Sequence, residues 1–348
     1  MAGDRSAGLG PGAGHDAVVI GGGPAGCAAA TTLARSGRSV VLVVDHHRVH
    51  RTFGVGEGAP PGLDRAVNDV FGAGTFVPAD HLRSLGNRAA WGTDDLLGTD
   101  FMFNPFGIGW HLDRVAFDAS LLTAAVTAGA NLRTSFDDGH AVAAPVVIDA
   151  SGRRADHARQ RGARRIANDR LIAVLTAYAR ADSDNDATTT VEAVEAGWWY
   201  TCPIPQHRRV VAFLTDGDLL AAELRTSAGF DRHAHRTTHI AQLLAPTAPV
   251  APRVVAAGTA HLEPPCGDGW LAAGDAAASF DPLSSQGILT AVLMGAEAAR
   301  CIDDPGAFAT RYGTIVADYE TERHAIYRRE ERWPNAPFWA RRHRRRAP

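Results

Sequence analysis

The stretch Val18–Cys27 reads VVIGGGPAGC, in which three glycines have the spacing G-x-G-x-x-G. The residues Asp16–Ile20 form a short apolar run, which is typical of a buried parallel strand. The run Pro24–Ser36 is rich in alanine and predicts a helix that ends at Gly37. The glycines therefore lie between a strand and a helix, which is the context in which this spacing binds a dinucleotide.

Each glycine of this motif has its own physical role. Gly21 permits a tight turn, Gly23 lets a pyrophosphate approach the backbone, and Gly26 lets the helix pack closely on the strand. The helix N-terminus faces the phosphates, because its N–H groups attract negative charge. Asp45 follows the next apolar run, about 20 residues after the last glycine, where an acid hydrogen-bonds a ribose diol. The predicted cofactor contacts of this unit are Gly21, Gly23, Pro24, Ala25, Gly26 and Asp45; the alternative is an ordinary βαβ unit with a glycine turn.

Bulk properties exclude several classes of protein. Of the 348 residues, 45% are hydrophobic and 21% charged, and the formal net charge of −3 gives no field that favours nucleic acid or a membrane surface. Lysine is absent. The four cysteines contain no C-x-x-C pair, so we predict neither a disulfide framework nor a metal site. Since we find neither a signal-peptide pattern nor an apolar run of membrane length, we expect a cytoplasmic protein with a flexible tail over residues 1–14.

A second cofactor element lies towards the other end of the chain. Gly269–Ala277 reads GWLAAGDAA and predicts a short strand that ends in a Gly-Asp pair, followed by the turn SFDPLSSQ and a helix. The aspartate can accept a hydrogen bond from a ribitol hydroxyl, and the N–H groups that open the helix can stabilise negative charge at the pyrimidine edge of a flavin. We therefore predict FAD as the cofactor, in contact with Gly274, Asp275, Pro282, Ser285, Gln286, Gly287 and Ile288.

Taken in order, these motifs and several others resemble the FAD-dependent monooxygenases and halogenases that share the p-hydroxybenzoate-hydroxylase-type FAD fold. The chain is most similar to the tryptophan-halogenase-like branch, which includes maturation flavoproteins that oxidise peptide-borne tryptophan. The other motifs are VGE at 55–57, GWHLDR at 109–114, VIDASG at 147–152, and GWWY at 197–200 with PIP at 203–205. The resemblance implies that Gly56, Glu57 and Arg114 lie beside the FAD, although Glu57 and Arg114 could instead be solvated surface charges.

The predicted fold is of the α/β class. We expect a Rossmann-like FAD-binding domain with a parallel sheet, an antiparallel-sheet substrate domain, and C-terminal helices. The predicted strands of the parallel sheet are 16–20, 39–44, 146–150 and 270–274. The predicted domains are 15–165 with 253–305 for FAD, 166–252 for the substrate, and 306–348 for a C-terminal helical segment and basic tail.

The resemblance also implies a reaction. In the family, reduced flavin and oxygen form a flavin C4a-hydroperoxide, which hydroxylates an aromatic ring or oxidises a halide. The halogenases use an active-site lysine, which this chain does not have, and Gln286 before Gly287 resembles the hydroxylases more than the halogenases. We therefore predict an FAD-dependent monooxygenase. The alternatives are an oxidase, dehydrogenase or reductase of the same fold, and a flavin-binding protein without enzymatic activity.

The predicted substrate is aromatic. Its pocket would use stacking and edge contacts with Phe103, Trp110, Trp198, Trp199 and Tyr200, although each of these could instead belong to the core. His111 and Glu57 are the candidate acid–base residues. The chain is short beside the halogenases, which favours an open site and a peptide- or carrier-linked substrate. With no second G-x-G-x-x-G unit, we expect electrons from transiently bound NAD(P)H or from a partner flavin reductase, and O2 as the oxidant.

Overall fold

A computed structural model describes residues 14–45, 57–134, 144–181 and 184–344. Gly56, which we predicted to lie beside the cofactor, falls outside these residues, and so does nearly all of the predicted N-terminal tail. Within the described ranges, no helix combines the length and the apolar character needed to cross a membrane.

The described residues contain short strands and a smaller number of helices. The strands are, in chain order, β1 (Ala17–Ile20), β2 (Val40–Val43), β3 (Gly58–Ala59), β4 (Leu82–Ser84), β5 (Gly86–Ala90), β6 (Leu97–Asp100), β7 (Gly109–His111), β8 (Asn131–Arg133), β9 (Val146–Asp149), β10 (Arg164–Ala167), β11 (Leu171–Ala179), β12 (Thr188–Val194), β13 (Gly197–Ile204), β14 (Arg208–Asp216), β15 (Arg253–Ala256), β16 (Ala260–Glu263), β17 (Cys266–Gly267), β18 (Trp270–Ala272) and β19 (Ala278–Ser279). The α-helices are α1 (Pro24–Arg35), α2 (Leu63–Phe71), α3 (Arg114–Thr127), α4 (Asp156–Gln160), α5 (Ser227–Ala234), α6 (Gly287–Arg300), α7 (Pro305–Arg328) and α8 (Pro337–His343).

The first large sheet has the strand order β17-β18-β9-β1-β2-β8 and is parallel except for β17. It contains all four predicted strands. Their apolar residues on one face pack against helices such as α1 and α6, whereas Val18, Val41 and Val43 on the other face form a separate small cluster. The predicted Rossmann-like sheet is therefore confirmed. The strands β1 and β9 are neighbours although they are distant in sequence, and the cofactors of such sheets bind where the strand order reverses in this way.

The second large sheet has the order β15-β11-β14-β13-β12-β5-β6. It is antiparallel apart from the pairing of β12 with β5, which confirms the predicted antiparallel sheet. Three of its strands, β5, β6 and β15, come from outside the predicted substrate range 166–252. The strands β5 and β6 are short, contain glycine and have exposed polar residues, so they carry little of the apolar alternation that identifies a strand from sequence.

Helices pack closely on each other beside the first sheet and cover one face of the second sheet. Helices α1 and α6 pack so closely that a Cβ at Gly295 would lie 2.1 Å from the carbonyl oxygen of Ala25. On the second sheet, Tyr327 of α7 and Trp339 of α8 are buried against Trp198 and its neighbours. The C-terminal helices therefore cover one face of the substrate-side sheet.

Candidate functional site

The glycine motif forms a tight connection between β1 and α1. Gly21 has φ +117°, and a Cβ there would lie 2.2 Å from the carbonyl oxygen of Ala150 at the end of β9. A Cβ at Gly26 would lie 1.8 Å from the carbonyl oxygen of Gly21. A side chain at either position would therefore separate the helix from the sheet, so these two glycines are required by the fold itself.

Gly23 differs from the other two motif glycines. Its backbone is extended, and a Cβ built there would meet no described atom within 4 Å. It is the N-cap of α1, and no side chain of the described residues caps that helix end. Space in front of a helix N-terminus, reached by backbone without a side chain, suits an anionic pyrophosphate. The residues present therefore fit the ADP half of FAD.

Asp45 lies at the same edge of the sheet. It follows β2, whose last residue Val43 pairs with Ile20 at the end of β1, and it is exposed. The intervening Val44 packs against Gly22, where a Cβ would lie 2.7 Å from a Val44 methyl group. This placement beside the glycine turn is the one that ribose binding requires.

The Gly274–Asp275 pair follows β18 and lies beside the helix of the glycine motif. Gly274 has φ +59°, and a Cβ there would lie 2.6 Å from the Cβ of Ala25. The carboxylate of Asp275 lies 3.4 Å from Nε of Arg153, and the carbonyl oxygen of Asp275 accepts a hydrogen bond from Arg165 at 3.2 Å. Neither arginine was predicted as a site residue, because both lie in an arginine-rich stretch where no spacing distinguishes them.

The turn before α6 is built around a buried carboxylate. Asp281 accepts the N–H of Leu283 at 2.8 Å and so begins the 3₁₀ turn Pro282–Ser284. Ser285 then adopts the left-handed region, with φ +53°, and α6 starts at Gly287. A Cβ at Gly287 would meet no described atom within 4 Å, and Ile288 is buried in the core. No side chain of the described residues caps the start of α6, so its first N–H groups remain available for the predicted flavin contacts.

Glu57 and Arg114 form an ion pair. Glu57 is 1% exposed, and its carboxylate lies 3.9 Å from Nη1 of Arg114 at the start of α3. Burial by itself would lower the pKa of this guanidinium, but the carboxylates of Asp118 and Glu57 outweigh it and the pKa is raised. The backbone oxygen of Glu57 accepts the N–H of Leu112, which places Glu57 at the end of the β3–β7 pair. The structure therefore brings the two predicted residues together.

His111 lies in the interior of the protein. It is fully buried, and its Nε2 lies 3.1 Å from the hydroxyl oxygen of Thr189 on β12. Burial, followed by the positive charge of Arg209, lowers its pKa to about 3. The imidazole is therefore neutral at neutral pH and cannot supply a proton there, and its catalytic role stays a prediction.

The five predicted pocket aromatics do not come together. Trp198 and Tyr200 face α7 and α8, whereas Trp199 faces Phe213 and Phe230 on the opposite side of β13, because side chains alternate along a strand. Trp110 is buried against Phe76, with its ring centroid at 5.0 Å, and Phe103 is 89% exposed. Trp198, Trp199 and Trp110 thus belong to three different hydrophobic clusters. This placement agrees with the alternative that these residues are part of the core.

Tyr200 makes a contact that the sequence did not predict. Its hydroxyl oxygen accepts the N–H of Gly58 at 3.3 Å and its O–H donates to the sulfur of Cys202 at 3.1 Å. Burial raises the pKa of both groups, so the phenol and the thiol are neutral. Tyr200 therefore ties the strand that follows Glu57 to the substrate-side sheet.

Comparison with known proteins agrees with this geometry. The family described as FAD dependent oxidoreductase matches residues 16–49. LodB of Marinomonas mediterranea, a proposed FAD-dependent oxidoreductase, is 29% identical over 94% of this chain and 97% of its own length. Among solved structures, the peptidyl tryptophan dihydroxylase QhpG, essential for tryptophylquinone cofactor biogenesis, has a TM-score of 0.77 at 22% identity, covering 95% of this chain and 79% of QhpG. The myxobacterial chondrochloren halogenase CndH has a TM-score of 0.80 at 20% identity, covering 94% of this chain and 85% of CndH. The chain is therefore an FAD-dependent oxidoreductase with the fold that flavin-dependent halogenases share with this tryptophan dihydroxylase.

Proposed function

We propose that this oxidoreductase is a monooxygenase that hydroxylates an aromatic side chain held in a peptide or on a carrier. The observation that carries the choice of reaction is the absence of lysine from the whole chain. Flavin-dependent halogenases direct their oxidised halide through an active-site lysine, whereas ring hydroxylation needs no such residue. Between halogenation and ring hydroxylation, the side chains of this chain therefore favour hydroxylation.

The cofactor would be held by the two helix N-termini. The open end of α1 at Gly23 would receive the pyrophosphate, and Asp45 and Asp275 would accept hydrogen bonds from the ribose and ribitol hydroxyls. The start of α6 would stabilise negative charge at the pyrimidine edge of the ring. When bound, FAD supplies the reaction with oxygen, and the chain supplies binding and orientation.

The Glu57–Arg114 pair would form the edge of the reaction site. Its carboxylate is almost fully buried, and the adjoining strand β3 is tied to Tyr200 of the substrate-side sheet. A carboxylate held in this way can accept a proton from a substrate ring if the substrate lies against β3. We propose Glu57 for this role in preference to His111, whose Nε2 is hydrogen-bonded to Thr189.

An exposed apolar segment supports a polypeptide-borne substrate. Met102, Phe103 and Phe106 are 74%, 89% and 61% exposed, and exposed apolar side chains that cluster in one segment are typical of binding surfaces. Phe106 also lies against Gly62, where a Cβ would be 3.3 Å from the Cβ of Phe106, close in sequence to Glu57. A peptide could therefore rest on this segment while one aromatic side chain reaches the reaction site. QhpG, which has the same fold, acts on peptidyl tryptophan.

The FAD must receive electrons from a reduced nicotinamide or from another protein. The chain has a single dinucleotide motif, and FAD would occupy it. Electrons would then come from NAD(P)H that binds only transiently or from a separate flavin reductase. Oxygen uptake by the FAD-loaded protein with NADH or NADPH alone, compared with uptake after addition of a flavin reductase, distinguishes these two sources.

The substrate class is tested by comparing a tryptophan-containing peptide, blocked at both ends, with free tryptophan. The FAD-loaded protein would receive electrons from NADH and an added flavin reductase, and the products would be analysed by mass spectrometry. We expect oxygen addition to the peptide and little product from free tryptophan. Turnover of free tryptophan in preference to the peptide would contradict the proposed substrate class, and a product oxidised without gain of oxygen would contradict the proposed reaction.

A further inference from the structure

A buried tyrosine of the C-terminal helix α7 connects the substrate-side sheet to the turn before α6. Tyr327 is 1% exposed, and its hydroxyl oxygen accepts the indole N–H of Trp198 at 3.1 Å. The same hydroxyl donates its hydrogen to the carboxylate of Asp281 at 2.6 Å. Trp198 belongs to strand β13 of the substrate-side sheet, and Asp281 begins the turn that leads to α6. A single hydroxyl group therefore links the substrate-side sheet to the turn that precedes the flavin-facing helix.

The turn is held by α7 at more than one point. The backbone N–H of Asp281 donates to the hydroxyl oxygen of Tyr319 at 2.7 Å, and Nε of Arg323 lies 3.7 Å from the carboxylate of Asp281. Arg323 is itself fixed by Asp169, at 2.6 Å. The other oxygen of the Asp281 carboxylate accepts the N–H of Leu283, so both oxygens have a hydrogen-bond donor. The orientation of this carboxylate is therefore set by Tyr327 and Arg323 of α7 together with the N–H of Leu283 in the turn itself.

The conformation of the turn depends on that orientation. Asp281 begins the 3₁₀ turn 282–284, and the next residue, Ser285, has φ +53°, a region that residues other than glycine seldom adopt. Such a conformation persists only where surrounding contacts impose it. A shift of the Asp281 carboxylate would therefore move the backbone that leads into α6, whose first N–H groups face the predicted position of the flavin ring.

We propose that Tyr327 is a positioning residue for the cofactor turn 282–287, and that through Trp198 it couples the substrate-side sheet to the flavin ring. The inference rests on the flavin site of the proposed function and not on the identity of the substrate. Its consequence is selective, because Tyr327 would act on the flavin half of the cofactor. The ADP half, held by the glycine motif and α1, lies on other elements and would be unaffected.

This selectivity gives a test that does not depend on turnover. The variant Tyr327→Phe keeps the ring and removes the hydroxyl, so the indole N–H of Trp198 and one oxygen of Asp281 lose their partner. We expect the dissociation constant of FAD to rise about 10-fold, as for the loss of a buried hydrogen bond to a charged group, and that of ADP to stay unchanged. The visible absorption bands of bound FAD should also shift, since the environment of the ring changes.

A matched control is available on the face of the substrate-side sheet that does not contact Tyr327. Tyr178 is also 1% exposed and donates its hydroxyl hydrogen to Asp231 at 3.0 Å, so Tyr178→Phe removes an equivalent bond away from the cofactor turn. We expect it to change neither FAD nor ADP binding. Asp281→Asn provides a second variant, and its effect on FAD binding should not add to that of Tyr327→Phe, since both break the same bond. Trp198→Phe should weaken FAD binding less than Tyr327→Phe, and should have no further effect in the presence of Tyr327→Phe.

The outcomes separate this inference from the proposed function. Unchanged FAD binding by both Tyr327→Phe and Asp281→Asn would overturn the inference and leave the proposed function in place. Equal weakening of FAD and ADP would also overturn it, because it would indicate a general loss of structure. Wild-type protein that binds ADP but not FAD would overturn the proposed function together with the inference.

Discussion

At the scale of single residues, the three glycines of the G-x-G-x-x-G motif have different structural roles. A side chain at Gly21 or Gly26 would collide with backbone, whereas at Gly23 it would point into space that no described atom occupies. The motif spacing was readable from the sequence, and so were these separate roles, since the strand and helix on either side fix where each glycine lies. The contacts of the Tyr200 hydroxyl with Gly58 and of the Tyr327 hydroxyl with Trp198 were not readable, because each joins residues more than a hundred positions apart in the chain.

The variant Gly23→Ala separates binding from folding. The backbone at Gly23 is extended and accepts alanine without strain, so the apo protein should be about as stable as wild type. The added methyl group would occupy the space of the pyrophosphate, so FAD and ADP should each bind at least about 10-fold more weakly. Titration of both ligands and urea unfolding of the apo protein check this result.

Gly26→Ala serves as the contrasting variant, since its methyl group would meet the carbonyl oxygen of Gly21 and should destabilise the apo protein. If Gly23→Ala binds FAD as tightly as wild type, the assignment of Gly23 to the pyrophosphate is wrong.

At the scale of elements, strands and helices with strong apolar patterns were predictable and isolated short strands were not. Helix α1 and the central strands of the parallel sheet lie within a residue or two of their predicted bounds, and α6 begins directly after the predicted turn. The strands β5 and β6 at one end of the second sheet were missed, because the pairing of β5 with β12 and of β6 with β5 comes from tertiary packing and not from their own composition. The division of Trp198 and Trp199 between two faces follows from strand periodicity and could have been deduced once the strand was predicted.

The crossing of α1 and α6 is an element-scale feature with a direct test. In Gly295→Ala the new methyl group would lie 2.1 Å from the carbonyl oxygen of Ala25, so the two helices must move apart. We expect a loss of about 1–3 kcal/mol in the free energy of unfolding, together with weaker FAD binding, because both helix N-termini face the cofactor.

Gly313→Ala is the control for this change, since a Cβ at that position of α7 would meet no described atom within 4 Å. It should be neutral or stabilising by up to about 1 kcal/mol, because alanine is the better helix former. Equal stability of Gly295→Ala and wild type in urea unfolding would show that the helices do not depend on this close contact.

At the scale of the whole molecule, the buried His111 makes stability depend on pH. Its pKa is about 3 in the folded protein, whereas an unfolded histidine titrates near 6.5. Between these values the unfolded state binds more protons than the folded state, so the free energy of unfolding decreases as pH falls below about 6.5. Burial also lowers the pKa of His81 and of His157, which adds to the effect in the same direction.

The variant His111→Gln removes the largest of these contributions. On going from pH 7.5 to 5.5, wild type should lose about 1.4 kcal/mol more of its unfolding free energy than the variant does. Urea unfolding of both proteins at the two pH values measures the difference. An identical pH dependence in the two proteins would mean that His111 is accessible to protons in the folded state, which would also reopen it as an acid–base candidate.

As a whole molecule, the proposed monooxygenase adds oxygen to an aromatic ring and does not halogenate it. The most direct measurement is one reaction of the FAD-loaded protein with a blocked tryptophan peptide, a flavin reductase with NADH, bromide and isotopically labelled dioxygen. We expect a product that carries labelled oxygen and no bromine. A brominated product, or oxygen derived from water, would contradict the proposed reaction.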